Sequence, residues 1–94
     1  MQITVFVPAA LRQFAAGERK LCLNLQEPAT LAHVFDSMHE CAPGVVERTL
    51  NELGTVREHI NVFVDGESVR LSHGLETPVR AGSEVWILPA VSGG

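Results

Sequence analysis

Two stretches near the N-terminus alternate apolar and polar residues with a period of two. In residues 2–7 and again in residues 20–26, every second side chain is aliphatic. Because successive side chains of a strand point to opposite faces, this pattern predicts two strands that each bury one face. Pro8 ends the first strand, and a loop that includes Gly17 is expected to join the two strands as a hairpin. The residues predicted to face inward are Ile3, Val5, Val7, Leu21, Leu23 and Leu25.

The apolar residues then change to the period of a helix. They recur at i, i+3, i+4 and i+7 after Thr30, which is placed to cap the N-terminus of the helix. Pro43 is expected to end this helix. A shorter second helix is predicted from about Val45 to Leu53, where Gly54 would stop it. The apolar stripe of the first helix consists of Leu31, Val34, Phe35 and Met38.

The strongest local signal is a second hairpin around the dipeptide Asp65-Gly66. Aliphatic residues alternate on its N-terminal side, and Asp-Gly between such runs is typical of a tight two-residue turn. Residues 71–84 contain two glycines and one proline and are predicted to be mostly loop, with one helical turn at most. Residues 84–91 form the predicted last strand. This order of elements predicts an α+β domain in which a helix packs across one face of a mixed sheet.

Strand alternation leaves three large apolar residues on the other face of that sheet. If Val62 and Val85 face the helix, then Phe63, Trp86 and Leu88 face away from it. An uncovered apolar patch on a small protein is typical of a surface that binds a partner. Loops that cover these side chains, or a different assignment of the inward-facing strand residues, would be alternative explanations.

Composition excludes several classes of function. The 94 residues allow one domain with one core, and the net charge of −4 with 5% aromatic residues argues against nucleic-acid binding. No run approaches the roughly 20 apolar residues of a membrane helix, so no membrane association is expected. The chain shows no targeting segment, and Cys22 and Cys41 lack the close spacing of a redox or zinc motif. We therefore expect a cytoplasmic protein with two structural thiols.

The usual catalytic and metal-binding constellations are missing from the sequence. His33 and His39 are six residues apart, which differs from the i, i+4 spacing of a helical zinc pair. There is no nucleophile elbow, phosphate-binding glycine loop or evident carboxylate pair. We predict no catalytic residues, no bound metal and no bound cofactor. The chain is expected to be a substrate of other enzymes.

The C-terminal sequence ends in two glycines that have no evident role in folding. Gly93 and Gly94 lack side chains, so their backbone can enter a narrow channel. Residues 91–94, fully extended, would reach about 13 Å beyond the domain. The Gly94 α-carboxylate could be adenylated, and sulfide or a persulfide could then displace AMP to leave a thiocarboxylate. A frayed terminus would be the alternative explanation.

These features together resemble the MoaD/ThiS family of ubiquitin-like sulfur carriers. The similar segments are "NVFVDGESVR", "AGSEVWILP" and the terminal "PAVSGG", with modest support from "FVPAALR". The resemblance implies a β-grasp fold with four to five strands on one main helix plus a short helix. It also implies a domain of residues 1–90 and a flexible tail of residues 91–94.

The resemblance further implies how the tail works. A ubiquitin-activating-type adenylyltransferase would use ATP to activate Gly94, and Val91, Ser92 and Gly93 would carry it into that enzyme. A sulfur-accepting biosynthetic enzyme would then consume the thiocarboxylate, for cysteine or another sulfur-containing metabolite. Members of the family dock their partners on an exposed apolar patch, which Phe63, Trp86 and Leu88 match in kind and position.

Two alternatives remain, of which the first shares the sulfur chemistry and differs in its partner. The chain could be the small subunit of molybdopterin synthase, or it could be a ubiquitin-like modifier attached to proteins through Gly94. Lys20 is the only lysine, which leaves little scope for chains built on this protein itself.

Overall fold

The computed structural model describes residues 1–90, and the predicted tail of residues 91–94 lies outside the described residues. Seven strands and two α-helices follow one another along these residues. In chain order they are β1 (Gln2–Phe6), β2 (Lys20–Asn24), β3 (Ala29–Thr30), α1 (Leu31–Cys41), α2 (Pro43–Thr49), β4 (Ile60–Val64), β5 (Glu67–Ser68), β6 (Pro78–Val79) and β7 (Glu84–Pro89). Three 3₁₀ helices cover Ala9–Ala15, Val69–Leu71 and Gly74–Glu76.

The main sheet has five strands in the order β2-β1-β7-β4-β5. β1 and β7 run parallel, and the other neighbouring strands run antiparallel. Because β7 lies between β1 and β4, the last strand of the chain is held on both sides. The predicted mixed sheet with a helix across one face is therefore confirmed.

The core lies between this sheet and α1. The apolar stripe predicted for α1 is buried, as are alternate residues of the strands. Each fully buried aliphatic side chain contributes about 1.5–3 kcal/mol relative to an exposed one. In the edge strand β2 only Leu23 is buried, and Leu21 in the strand and Leu25 just after it are partly covered. The inward-facing strand residues are Ile3, Val5, Val62, Val64, Val85 and Ile87.

The predicted end of α1 is confirmed, whereas both ends of α2 were misplaced. α1 ends at Cys41, just before Pro43, but Pro43 is also the first residue of α2, which therefore begins earlier than the predicted Val45. Proline is well tolerated there because the first N–H of a helix has no partner within the helix. α2 ends at Thr49, so the predicted extent to Leu53 was wrong.

The early end of α2 has a local cause in Asn51. Its side-chain oxygen accepts hydrogen bonds from the backbone N–H groups of Leu53 and Thr55, at 2.9 and 3.1 Å. Asn side chains compete with helical hydrogen bonds in this way. Gly54, with a φ of +78°, lies inside the resulting turn and does not cap the helix.

Two regions predicted as loops contain further structure. The connection between β1 and β2 includes the 3₁₀ helix of Ala9–Ala15, which buries Leu11 and Ala15. In the later loop, β6 pairs with β3 to form a separate two-stranded sheet. Both elements are too short to produce a recognisable hydrophobic period.

The turn of the second hairpin also connects to the start of β7. Asp65 and Gly66 both have positive φ, 49° and 89°, as the predicted tight turn requires. The Asp65 carboxylate accepts one hydrogen bond from the Ser83 hydroxyl and one from the Glu84 backbone N–H, each at 2.8 Å. Asp65 therefore fixes the β4–β5 turn against the segment that leads into β7.

α2 packs closely against the 3₁₀ helix of Ala9–Ala15. A Cβ added at Gly44 would lie 2.9 Å from Cβ and Cδ1 of Phe14. The guanidinium carbon of Arg48 lies 3.6 Å from the centroid of the same ring. The absence of a side chain at Gly44 thus permits the close approach of the two helices.

Substitution Gly44→Ala is expected to destabilise the protein by about 1 kcal/mol, although Ala is the better helix former by a similar amount. The reason is that the added methyl group must displace Phe14 near its backbone attachment. Urea unfolding would measure the change. In a Phe14→Ala background, which removes two of the three close atoms, the penalty should shrink or reverse. An equal penalty in both backgrounds would contradict this explanation.

Candidate functional site

The face of the sheet opposite α1 carries a row of aromatic residues. Trp86 in β7 is paired with Phe6 in β1 on one side and with Phe63 in β4 on the other. Residues paired across neighbouring strands point to the same face. The three rings therefore follow one line across the middle of the sheet.

Phe6 and Trp86 stack directly on each other. Their ring centroids are 3.9 Å apart and the ring planes differ by 7°. Such aromatic pairs contribute about 0.5–1.5 kcal/mol beyond the area they bury. Trp86 nevertheless remains 38% exposed, so the stack holds one flat aromatic surface toward solvent.

Leu88 extends this surface toward the C-terminus. It is 39% exposed and lies two residues along β7 from Trp86, on the same face. The predicted residues Phe63, Trp86 and Leu88 are thus on one face, with Phe63 half-buried. We call these three residues and Phe6 the apolar patch. Among the described residues, no loop covers Trp86 and Leu88 completely, so covering loops do not account for these two side chains.

The chain leaves the sheet beside the apolar patch. Pro89 is paired with Ile60, and the Ala90 backbone N–H donates a 2.8 Å hydrogen bond to the His59 carbonyl oxygen. Pairing with β4 therefore continues to the last described residue. The predicted tail residues Val91, Ser92, Gly93 and Gly94 lie outside the described residues, but their point of attachment is fixed.

A shallow groove of about 620 Å³ adjoins the apolar patch. The sequence did not predict it, because two of its three basic residues, Arg12 and Arg19, come from a connection that showed no periodic pattern. It shares Phe6, Trp86 and Leu88 with the patch. The outward direction of Phe6 follows from the same alternation that buries Val5 and Val7. The groove is lined by Phe6, Val7, Pro8, Arg12, Gly17, Glu18, Arg19, Lys20, Trp86 and Leu88.

The other candidate residues are not assembled into a site. Within residues 1–90, no group of three His, Cys, Asp or Glu side chains could hold a metal ion. Cys22 and Cys41 are both exposed free thiols. His33 has a local role, since its Nδ1 accepts a 2.9 Å hydrogen bond from the Thr30 backbone N–H at the start of α1. In the same part of the chain, no helix has the length and apolar character needed to span a membrane.

The chain is similar in sequence to known carriers and modifiers. The family model described as "ThiS family" matches residues 5–94. The chain is 33% identical over 96 residues to the sulfur carrier protein CysO of Mycobacterium tuberculosis, with complete coverage of both chains. It is 30% identical over 79 residues to small archaeal modifier protein 1 of Haloferax volcanii, covering 84% of this chain and 86% of the modifier.

Solved structures show the same fold. The crystal structure of M. tuberculosis CysO superposes with a TM-score of 0.86 at 32% identity, covering 95% of this chain and 99% of that one. A chain in the Amycolatopsis orientalis BexX/CysO complex gives a TM-score of 0.83 at 36% identity, covering 98% and 99%. These matches confirm the ubiquitin-like β-grasp fold. With a family match that spans residues 5–94, this chain belongs to the ThiS/MoaD family of ubiquitin-like sulfur carrier proteins.

Proposed function

We propose that this protein carries activated sulfur as a thiocarboxylate on Gly94. The observation that carries the proposal is the attachment of the tail to β7. This strand is held by β1 and β4 on its two sides and leads directly from the apolar patch to Ala90. A partner that binds the patch would therefore receive the tail in a defined direction, which lowers the entropic cost of placing the terminus in an active site.

The proposed chemistry has two steps on the partner enzyme. A Gly94 carboxylate oxygen attacks the α-phosphorus of ATP and expels pyrophosphate, which leaves an acyl-adenylate. A sulfur nucleophile then attacks the carbonyl carbon and displaces AMP. Sulfide gives the thiocarboxylate directly, whereas an enzyme persulfide gives an acyl disulfide, whose S–S bond a second thiol cleaves to release the thiocarboxylate and leave a disulfide on the enzyme. The carrier supplies only the acyl group, so it acts as a protein co-substrate and binds no cofactor itself.

Two kinds of partner follow from this chemistry. A ubiquitin-activating-type adenylyltransferase would load Gly94, and a sulfur-accepting biosynthetic enzyme would unload it. The Amycolatopsis orientalis relative forms a complex with BexX, which supports stable docking by this fold. The final acceptor proposed here is an enzyme that makes cysteine or another sulfur-containing metabolite.

Attachment to other proteins is the second candidate function, because a relative is a small archaeal modifier protein. The acyl-adenylate would in that case be transferred to lysine amines of target proteins. Conjugates that survive denaturing electrophoresis would favour this function. Stable co-purification with a large subunit would instead favour the small subunit of molybdopterin synthase.

The test of activation is ATP–pyrophosphate exchange catalysed by the adenylyltransferase of the same organism. We expect exchange that depends on the carrier and saturates with its concentration. Exchange that is absent with every such enzyme of that organism would contradict the proposal.

A further inference from the structure

The groove beside the apolar patch has a charge opposite to that of the whole protein. The chain carries a net charge of −4, with 11 acidic and 7 basic residues. Among the described residues that line the groove, Arg12, Arg19 and Lys20 are basic and Glu18 alone is acidic. A local excess of positive charge on an acidic protein defines an orientation for a charged partner.

The backbone holds these basic residues in defined places. Arg12 Nε donates a 3.1 Å hydrogen bond to the Val7 carbonyl oxygen, which fixes the guanidinium near the end of β1. The Arg19 carbonyl oxygen accepts a 2.8 Å hydrogen bond from the Val7 N–H, and Lys20 is paired with Phe6. The cations therefore have fixed attachment points on one side of the aromatic stack.

The groove also lies at the end of the sheet from which the tail departs. β1 and β7 are parallel, with Phe6 beside Trp86, so the residues that follow Phe6 lie beside Leu88 and the C-terminal end of β7. Trp86 and Leu88 line both the groove and the apolar patch. A partner that receives the tail therefore meets the apolar surface and the basic groove together.

We propose that this groove binds an acidic segment of the activating enzyme, one that presents carboxylates next to an apolar side chain. This inference rests on the proposed function and identifies the chemistry of the partner surface. The rest of the carrier has a net negative charge and would repel such a segment. Attraction between the acidic segment and the basic groove therefore favours the orientation that delivers the tail. Electrostatic complementarity of this kind acts mainly on the rate of association and on specificity.

Charge reversal at the groove tests the proposal. In ATP–pyrophosphate exchange with the activating enzyme, Arg19→Glu is expected to raise the KM for the carrier about tenfold at low salt and to leave kcat nearly unchanged. The effect should diminish as salt screens the charges. The matched control is Arg80→Glu, which makes the same change of charge at an exposed residue. Arg80 lies near the opposite end of β1, because the nearby Gly82 N–H donates a hydrogen bond to the carbonyl oxygen of Gln2, the first residue of that strand. Its KM should change less than twofold.

The outcomes separate this inference from the proposed function. The unmodified carrier could support normal exchange while Arg19→Glu and Arg80→Glu have equal KM values. That result would overturn the proposal of an acidic docking segment and leave the proposed sulfur-carrier function intact. Absence of exchange by the unmodified carrier would overturn both. A thermal unfolding midpoint for Arg19→Glu that matches the unmodified protein is expected and would exclude misfolding as the cause.

Lys20 provides a second, direct measurement because it is the only lysine in the chain. Its acetylation by an amine-reactive ester, followed by mass spectrometry, should slow severalfold when the activating enzyme is present. Protection by the enzyme supports the proposal, and an unchanged rate in a saturated complex overturns it. Protection that instead rises with carrier concentration alone would show that a second copy of this acidic chain occupies the groove, and would also overturn it.

Discussion

Deletion of Gly94 is expected to lower the rate of carrier-dependent ATP–pyrophosphate exchange by about 1,000-fold or more. The new terminal carboxylate, on Gly93, would stop about 3.5 Å short of the α-phosphorus when the domain is docked. Misplacement of a reacting group by about 1 Å can already cost about 100-fold. Exchange measured at saturating carrier separates this loss from any change in docking.

The matched control for this deletion is Ser92→Ala, which changes the tail but keeps its length and its terminal carboxylate. Its exchange rate should stay within about threefold of that of the unmodified carrier, because the terminal carboxylate keeps its position in the active site of the enzyme. Both variants should unfold like the unmodified protein, since neither changes any of the core residues that the structure describes. Full exchange by the deletion variant would show that Gly94 is not the activated residue.

Replacement of Trp86 by Ala should have the second largest effect, a weakening of partner binding by about 30-fold or more. Trp86 is the centre of the aromatic row and stacks on Phe6, so its loss removes the largest part of the apolar patch. Buried aromatic residues at the centre of an interface are often worth about 2 kcal/mol or more. Binding to the activating enzyme, measured by titration calorimetry, would give the change in Kd.

Two controls distinguish docking from stability in this experiment. Trp86→Phe keeps an aromatic ring that can stack on Phe6, and it should recover most of the affinity. Leu53→Ala removes an apolar side chain that is 86% exposed but lies outside the apolar patch, and it should leave binding unchanged. A folded Trp86→Ala protein that binds normally would contradict docking through the patch.

The sequence predicted the fold well where the periodic patterns were long. The α1 stripe from Leu31 to Met38 and the turn at Asp65-Gly66 were both confirmed, because each follows a strong local rule. The end of α2 was wrong because the Asn51 side chain competes with the helix for backbone N–H groups. Helix prediction from residue types and periodicity does not account for hydrogen bonds between a side chain and the backbone.

The candidate site was predictable in part. Strand alternation placed Phe63, Trp86 and Leu88 on one face, since it needs no knowledge of which strands are neighbours. The contribution of Phe6 required the parallel pairing of β1 with β7, a contact between the two ends of the chain. The basic groove required the position of the 3₁₀ helix that carries Arg12 and of the connection to β2. Non-local pairing of this kind leaves no periodic signal in the sequence.

The most direct test of a sulfur carrier is the mass of the intact protein after loading. The carrier is incubated with ATP, a sulfide source and the activating enzyme of the same organism, and its mass is compared with that of an incubation without ATP. Exchange of one terminal oxygen for sulfur should increase the mass by about 16 units, and fragmentation should locate the increase at Gly94. An unchanged mass under conditions where the enzyme exchanges pyrophosphate would contradict the thiocarboxylate, and an ATP-dependent shift at any other residue would contradict the role of Gly94.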